Sequence, residues 1–223
     1  MVAEIFEKAG LYVLAGVKGV GKSSLMISLI DEISRLKEGK VSLYCYSATN
    51  AVRLPAKSER IKIVELSELP VQTGHLYLES EWAKADHGLS AVIVDGYRFL
   101  LRTESFHDID LTKNEKILFL LTRFKTLAEV YDVPVIITCG VDDDFIYGRR
   151  DNRPLLDDVQ EYQYIKAFAD RIMLLHREEM FDPETEKKGI AELRVIDPSS
   201  DSYHDLRLAY IQDAGRFCDL QME

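Results

Sequence analysis

Between residues 16 and 23 the chain runs Gly16-Val17-Lys18-Gly19-Val20-Gly21-Lys22-Ser23, which fits the pattern G-x-x-x-x-G-K-[ST]. That pattern constrains the fold because it works only between the end of a strand and the start of a helix. Both flanks are present. Leu11-Tyr12-Val13-Leu14-Ala15 is an apolar run of buried-strand length. Ser24 to Lys37 carries Leu25, Ile27, Leu29, Ile30, Ile33 and Leu36 with helical periodicity. The residue types specify the chemistry. Gly16, Gly19 and Gly21 let the backbone curl so that its N–H groups turn inward toward phosphate oxygens. The helix start adds its positive dipole end. Lys22 is placed to reach the β- and γ-phosphates, and Ser23 to hold Mg²⁺. The expected nucleotide-binding set is Gly16, Gly19, Val20, Gly21, Lys22, Ser23 and Ser24, with ATP and Mg²⁺ as cofactors.

A second signal is Ala91-Val92-Ile93-Val94-Asp95, four apolar residues ending in a carboxylate. Such a run suits a strand buried on both faces. Asp95 is then expected beside Ser23, sharing the metal ion directly or through water. Val41 to Tyr46 and Val133 to Cys139 are further strands, and Pro134 is tolerated because it stands at a strand start. A long helix is expected from Leu111 or Thr112 to Tyr131. A short one follows over Val159 to Phe168, then strands at Arg171–His176, Gly189–Val195 and Asp205–Tyr210. Residues 1–10 are a capping segment, and 97–113 and 140–158 are loops. Ile61 to Leu66 and Leu76 to Leu78 are weaker strand candidates, and Ser80 to Gly88 is a helix candidate carrying Trp82. Strands alternating with helices predict an α/β fold with a mostly parallel central sheet flanked by helices, closed by antiparallel strands at its C-terminal edge. No linker or repeat divides the 223 residues, so 1–223 is read as a single domain.

Composition adds limits. No apolar run approaches the ~20 residues of a membrane span, and the N-terminus lacks a signal-peptide core. No membrane partner and a cytoplasmic setting are therefore expected. Cys45, Cys139 and Cys218 are scattered and form no C-x-x-C pair, which argues for a reducing compartment and against a structural zinc. A net charge of −10 repels nucleic acid, so DNA contact requires a local basic patch. The 140–158 loop offers Arg149, Arg150 and Arg153, beside Asp142, Asp143 and Asp144. Its charges suit either a self-pairing surface loop or a nucleic-acid-facing one.

The stretch Arg153-Pro154-Leu155-Leu156-Asp157-Asp158, with Glu161 and Ile165, resembles the R-P-x-x-x-D-L-R-E stretch of the RecA-like C-terminal motor domain of DnaB-family replicative DNA helicases. Ala169-Asp170-Arg171-Ile172-Met173 with Arg177 resembles that family's A-D-x-I-M-x-x-x-R strand. Lys188-Gly189-Ile190-Ala191-Glu192 resembles its K-G-x-A-E strand, and Leu206 to Tyr210 its closing V-R-L-x-F strand. Order and spacing agree from the phosphate loop to about residue 217, except in a shortened 51–80 region. The resemblance implies a RecA-like P-loop ATPase core without the family's N-terminal domain. It also implies ring or filament assembly with nucleotide between subunits, as a homo-oligomer or with a helicase-associated partner. Two loops, within 97–113 and 141–158, would then meet single-stranded DNA.

The departures bear on mechanism. The family's catalytic glutamate falls on Ser47, which cannot act as a carboxylate base. Its γ-phosphate-sensing glutamine falls on Gly140, and its lysine–arginine finger pair falls on Asp197 and Ser199. Loss of an arginine finger alone lowers turnover by ~10³–10⁵. Glu65, Glu79 and Asp142 are the acids that could replace the base, and the catalytic residue stays open. Two functions follow: an ATP- and Mg²⁺-binding protein with weak or absent hydrolysis, or an active DNA-dependent helicase motor. A small-molecule kinase suits the phosphate loop but not the register across 153–210.

Overall fold

The computed structural model describes residues 2–36, 40–45, 60–65, 88–102 and 111–220. The strand candidate Leu76–Leu78 and, apart from Gly88, the helix candidate Ser80–Gly88 with Trp82 lie outside the described residues, as do Ser47 and Glu79. Among the described residues nine strands form one sheet: β1 (Gly10–Ala15), β2 (Lys40–Cys45), β3 (Ile61–Glu65), β4 (Leu89–Asp95), β5 (Pro134–Cys139), β6 (Arg171–His176), β7 (Ile190–Asp197), β8 (Ser202–Ile211) and β9 (Arg216–Asp219). Their spatial order is β3-β2-β4-β5-β1-β6-β7-β8-β9. Pairing is parallel from β3 through β6 and antiparallel from β6 through β9. The expected parallel core and antiparallel C-terminal edge are both found.

Burial explains the two halves. Every residue of β1 and β5 is buried, as their unbroken apolar runs require when helices cover both faces. β7 alternates buried and half-buried positions, the mark of a strand with one wetter face. The covering helices are α1 (Lys22–Leu36) and α2 (Lys113–Tyr131). α1 packs on β2, β4 and β9, whereas α2 packs on β1 and β5. The connection from β1 to β2 runs in one direction along the sheet and that from β4 to β5 in the other. Right-handed crossovers therefore place α1 and α2 on opposite faces.

α2 begins at a full capping box. The Thr112 hydroxyl accepts from the Glu115 amide at 3.3 Å, and the Thr112 amide donates back to Glu115 Oε2 at 2.8 Å. It ends where Asp132 adopts a left-handed φ of 52° and donates its N–H to Ala128 O.

Several boundaries differ from expectation. Residues 97–102 form a 3-10 turn rather than loop, because Tyr97 and Leu100 are buried in the core. The 140–158 stretch contains a single helical turn, α3 (Asp143–Ile146), and a 3-10 turn at Leu156–Asp158. The next helix, α4, spans Tyr162–Phe168 and starts later than Val159, because Val159 is held in a β-bridge to Val141. β9 was not expected. It is four residues long, and its apolar anchor, Phe217, is buried against α1's start.

Candidate functional site

Parallel pairing brings the C-terminal ends of β1, β4, β5 and β6 to one edge of the sheet, where open α/β sheets place their ligands. The glycine loop leaves β1 there. Gly19 and Gly21 have φ of +84° and +110°, conformations that side-chain-bearing residues rarely adopt. Gly21 is also closed to a side chain by packing, since a Cβ there would stand 2.8 Å from the Phe217 ring. The helical ladder begins at Leu25, whose amide donates to Gly21 O at 2.9 Å. The amides of Lys22, Ser23 and Ser24 are the first in α1 and have no intrahelical acceptor. Lys22 folds over the loop and donates from Nζ to Gly16 O at 2.7 Å and to Val17 O at 2.9 Å. Curled glycines, three amides at a helix start and an ammonium above them suit a polyphosphate, so the residues present fit the expected nucleotide.

Asp95 ends β4 at the same edge, separated from β1 by β5 alone. α1, whose second residue is Ser23, packs against β4. A hydroxyl that was not singled out from sequence holds the Asp95 carboxylate. Thr138 Oγ1 donates to Asp95 Oδ1 at 2.7 Å and accepts from the Gly96 amide at 2.7 Å. The β4–β5 register, with Val94 beside Ile137, makes Thr138 the natural neighbour of Asp95. Cys139 follows it, free and buried. Burial pushes its thiol up to about 12, against the pull of the Lys22 ammonium, which places that charge near the end of β5.

Arg177 was matched to a motif without a role. It is buried at the end of β6, donates from Nε to Glu179 Oε1 at 2.8 Å and reaches Val20 O at 3.4 Å. Its guanidinium lies 3.7 Å from the Tyr210 ring centroid, and Tyr210 packs on Phe217. Arg177 and Phe217 thus buttress the glycine loop from the antiparallel half of the sheet.

The other candidates spread over the molecule. Arg149 is bound through both terminal nitrogens to the Asp158 carboxylate, at 2.7 Å for Nη2 to Oδ1. Arg153 pairs with Glu192, while Arg150 is exposed and makes no ion pair among the described residues. Asp142 is exposed and accepts from Gln160 Nε2 at 3.3 Å. The β6–β7 register sets Ile196 beside Ile172, so Asp197 lies at the start of β6, at the opposite edge from the phosphate loop. Its carboxylate is not bare. It pairs with Arg171 at 2.9 Å and accepts from the Ser199 amide at 2.9 Å and hydroxyl at 2.6 Å. The Asp197 charge is therefore offset by Arg171. The Ser199 hydroxyl and the neighbouring Arg171 hold the Asp197 carboxyl below the usual range.

Comparison with known proteins agrees with this fold. Residues 71–219 match the family described as DnaB-like helicase C terminal domain. The chain is 32% identical to the replicative DNA helicase DnaB of Pasteurella multocida, over 60% of this chain and 27% of that protein. It is 25% identical to the replicative DNA helicase DnaC of Bacillus subtilis, over 62% of this chain and 30% of that one. For DnaB of Haemophilus influenzae the identity is 22%, with 96% of this chain and 52% of the relative aligned. The chain thus spans about half or less of the length of these curated relatives. Among solved structures, an isolated ATPase domain superposes with a TM-score of 0.78 at 20% identity, covering 96% of this chain and 85% of that one. A DnaB-like replicative helicase, solved with its interactions with primase, gives 0.80 at 20% identity, covering 96% of this chain and 58% of that one. These likenesses establish the RecA-like fold.

Proposed function

The chain belongs to the family of DnaB-like helicase C-terminal domains, and on that premise we propose that it binds ATP with Mg²⁺ and hydrolyses it weakly or not at all. The observation that carries the proposal is the glycine loop with Lys22 folded across its carbonyls, beside a strand end bearing Asp95. Lys22 would contact the β- and γ-phosphates, with the amides from Gly19 to Ser24 around them. Ser23 and Asp95 would hold the metal ion, which when bound neutralises phosphate charge. Weak turnover follows from Ser47 in place of the base, Gly140 in place of the sensor, and Asp197 and Ser199 in place of the finger pair. Asp197 and Ser199 lie at the edge away from the chain's own phosphate loop, where only a nucleotide held by a second copy would meet them. Oligomeric assembly around the nucleotide is part of the proposal for that reason. Single-stranded DNA contact is assigned to the 141–158 loop, with Arg150, which makes no ion pair among the described residues, beside Arg149 and Arg153.

Replacing Lys22 by Ala removes a charge-assisted phosphate contact worth about 1.5–3 kcal/mol. Titration with ATP and Mg²⁺ should show affinity reduced by about tenfold or more. A Lys22→Ala variant that titrates like the wild type would refute the assignment.

A further inference from the structure

We propose that Gln160 supplies the carboxamide that senses the nucleotide's γ-phosphate, from a different loop than the position where Gly140 leaves none. The inference deepens the nucleotide-binding reading above and rests on it. Gly140 follows β5, whose last pair with β1 sets Cys139 beside Ala15. The next residues along these strands are Gly140 and Gly16, so Gly140 stands at the mouth of the phosphate loop. A Cβ on Gly140 would lie 3.0 Å from Gln160 Oε1, 3.2 Å from Cδ and 3.5 Å from Nε2. The Gln160 carboxamide therefore occupies the space that a side chain at position 140 would enter.

The backbone holds it there. The Gln160 amide donates to Gly140 O at 3.2 Å, the Asp142 amide donates to Asp158 O at 2.8 Å, and Val141 bridges Val159. Segments 140–142 and 158–160 thus run antiparallel, side by side. Arg98, three residues beyond Asp95, donates from Nη1 to Gln160 Oε1 and also pairs with Glu161 at 3.1 Å. That contact fixes the amide's orientation, leaving its nitrogen on the side of Asp142, to which it donates at 3.3 Å. An amide nitrogen carries two N–H donors. Asp142 uses one, and the other is available to an anionic oxygen. A neutral donor at this place favours a triphosphate over a diphosphate, because only the former has a γ-oxygen to accept from it.

The test is a binding titration of the full chain in Mg²⁺, with ADP and with a non-hydrolysable ATP analogue. The wild type should prefer the analogue. Gln160→Ala should cut that preference by about tenfold, the loss expected for one hydrogen bond to a charged group, while leaving ADP affinity unchanged. The unchanged ADP affinity also reports that the variant folds. The double variant Gly140→Gln with Gln160→Ala should regain the preference, since its new side chain enters the vacated space. A Gln160→Ala variant that keeps the wild-type preference would overturn the inference, as would a wild type that binds ADP and the analogue equally. A wild type that binds neither nucleotide sinks the phosphate-loop reading itself, and this inference with it.

Discussion

The Thr138 hydroxyl joins two strand ends: it donates to Asp95 and accepts from the Gly96 amide. Thr138 is 2% exposed, while Asp95 and Gly96 are half-buried. Thr138→Val keeps the shape and removes both. It leaves the half-buried Gly96 amide and an Asp95 carboxylate oxygen each short of a partner, at a cost of about 1 kcal/mol. Urea unfolding should show the midpoint falling by a matching amount with the slope unchanged. Nucleotide binding should also need severalfold more Mg²⁺, because Asp95 loses the bond that orients it. An unaltered midpoint would show that the Thr138 bridge contributes nothing. From sequence, a role can be proposed only where one position defines it, as at Lys22, Ser23 and Asp95. Thr138 and Gln160 were not legible, because each depends on a neighbour brought close by the sheet.

The loop between β5 and α4 is an element organised around one carboxylate. Asp158 receives both terminal nitrogens of Arg149 and the Leu155 amide at 2.7 Å, and its own amide donates to Leu155 O at 3.1 Å. Burial raises the carboxyl pKa of Asp158, yet the bonds from Arg149 and the Leu155 amide outweigh it and hold the pKa below its ordinary value. The folded pKa is therefore lower than the unfolded one, about 3.9 for an aspartate. The stabilisation is fully present above that value and is lost as pH falls through the lower, folded pKa. Asp158→Asn should be less stable than the wild type near pH 7, and the gap should narrow as pH drops from about 5 toward 2. Denaturant unfolding of both proteins across that range measures it, and a gap independent of pH would reject the ionic account. The sequence showed a loop rich in acids and arginines. Which of them pair was decided by the Val141–Val159 bridge and the β6–β7 hairpin that carries Glu192 to Arg153.

At the scale of the molecule, the sheet carries its glycine loop at one edge and the Asp197–Ser199 turn at the other. On the proposed function, a complete site would therefore need two copies. ATP turnover, measured with and without single-stranded DNA beside a sizing experiment with and without nucleotide, separates the two functional readings. Slow, DNA-indifferent turnover with nucleotide-dependent assembly is expected. Ser47→Glu should not restore turnover alone, since Asp197 and Ser199 still lack the cations of the finger pair. Brisk DNA-stimulated hydrolysis by the wild type would favour the motor instead. The chain's one-dimensional pattern determined the parallel core and the glycine loop between β1 and α1. Burial on both faces writes itself as unbroken apolar runs at β1, β4, β5 and β6, and phosphate binding by backbone demands glycines at set spacing. Tertiary structure alone decided that β9 exists, that Arg177 and Phe217 buttress Gly21, that Arg171 neutralises Asp197, and that Gln160 fills the space beside Gly140. Each of these joins residues far apart in the chain or on neighbouring segments, and periodicity carries no information about which segments the sheet will set side by side.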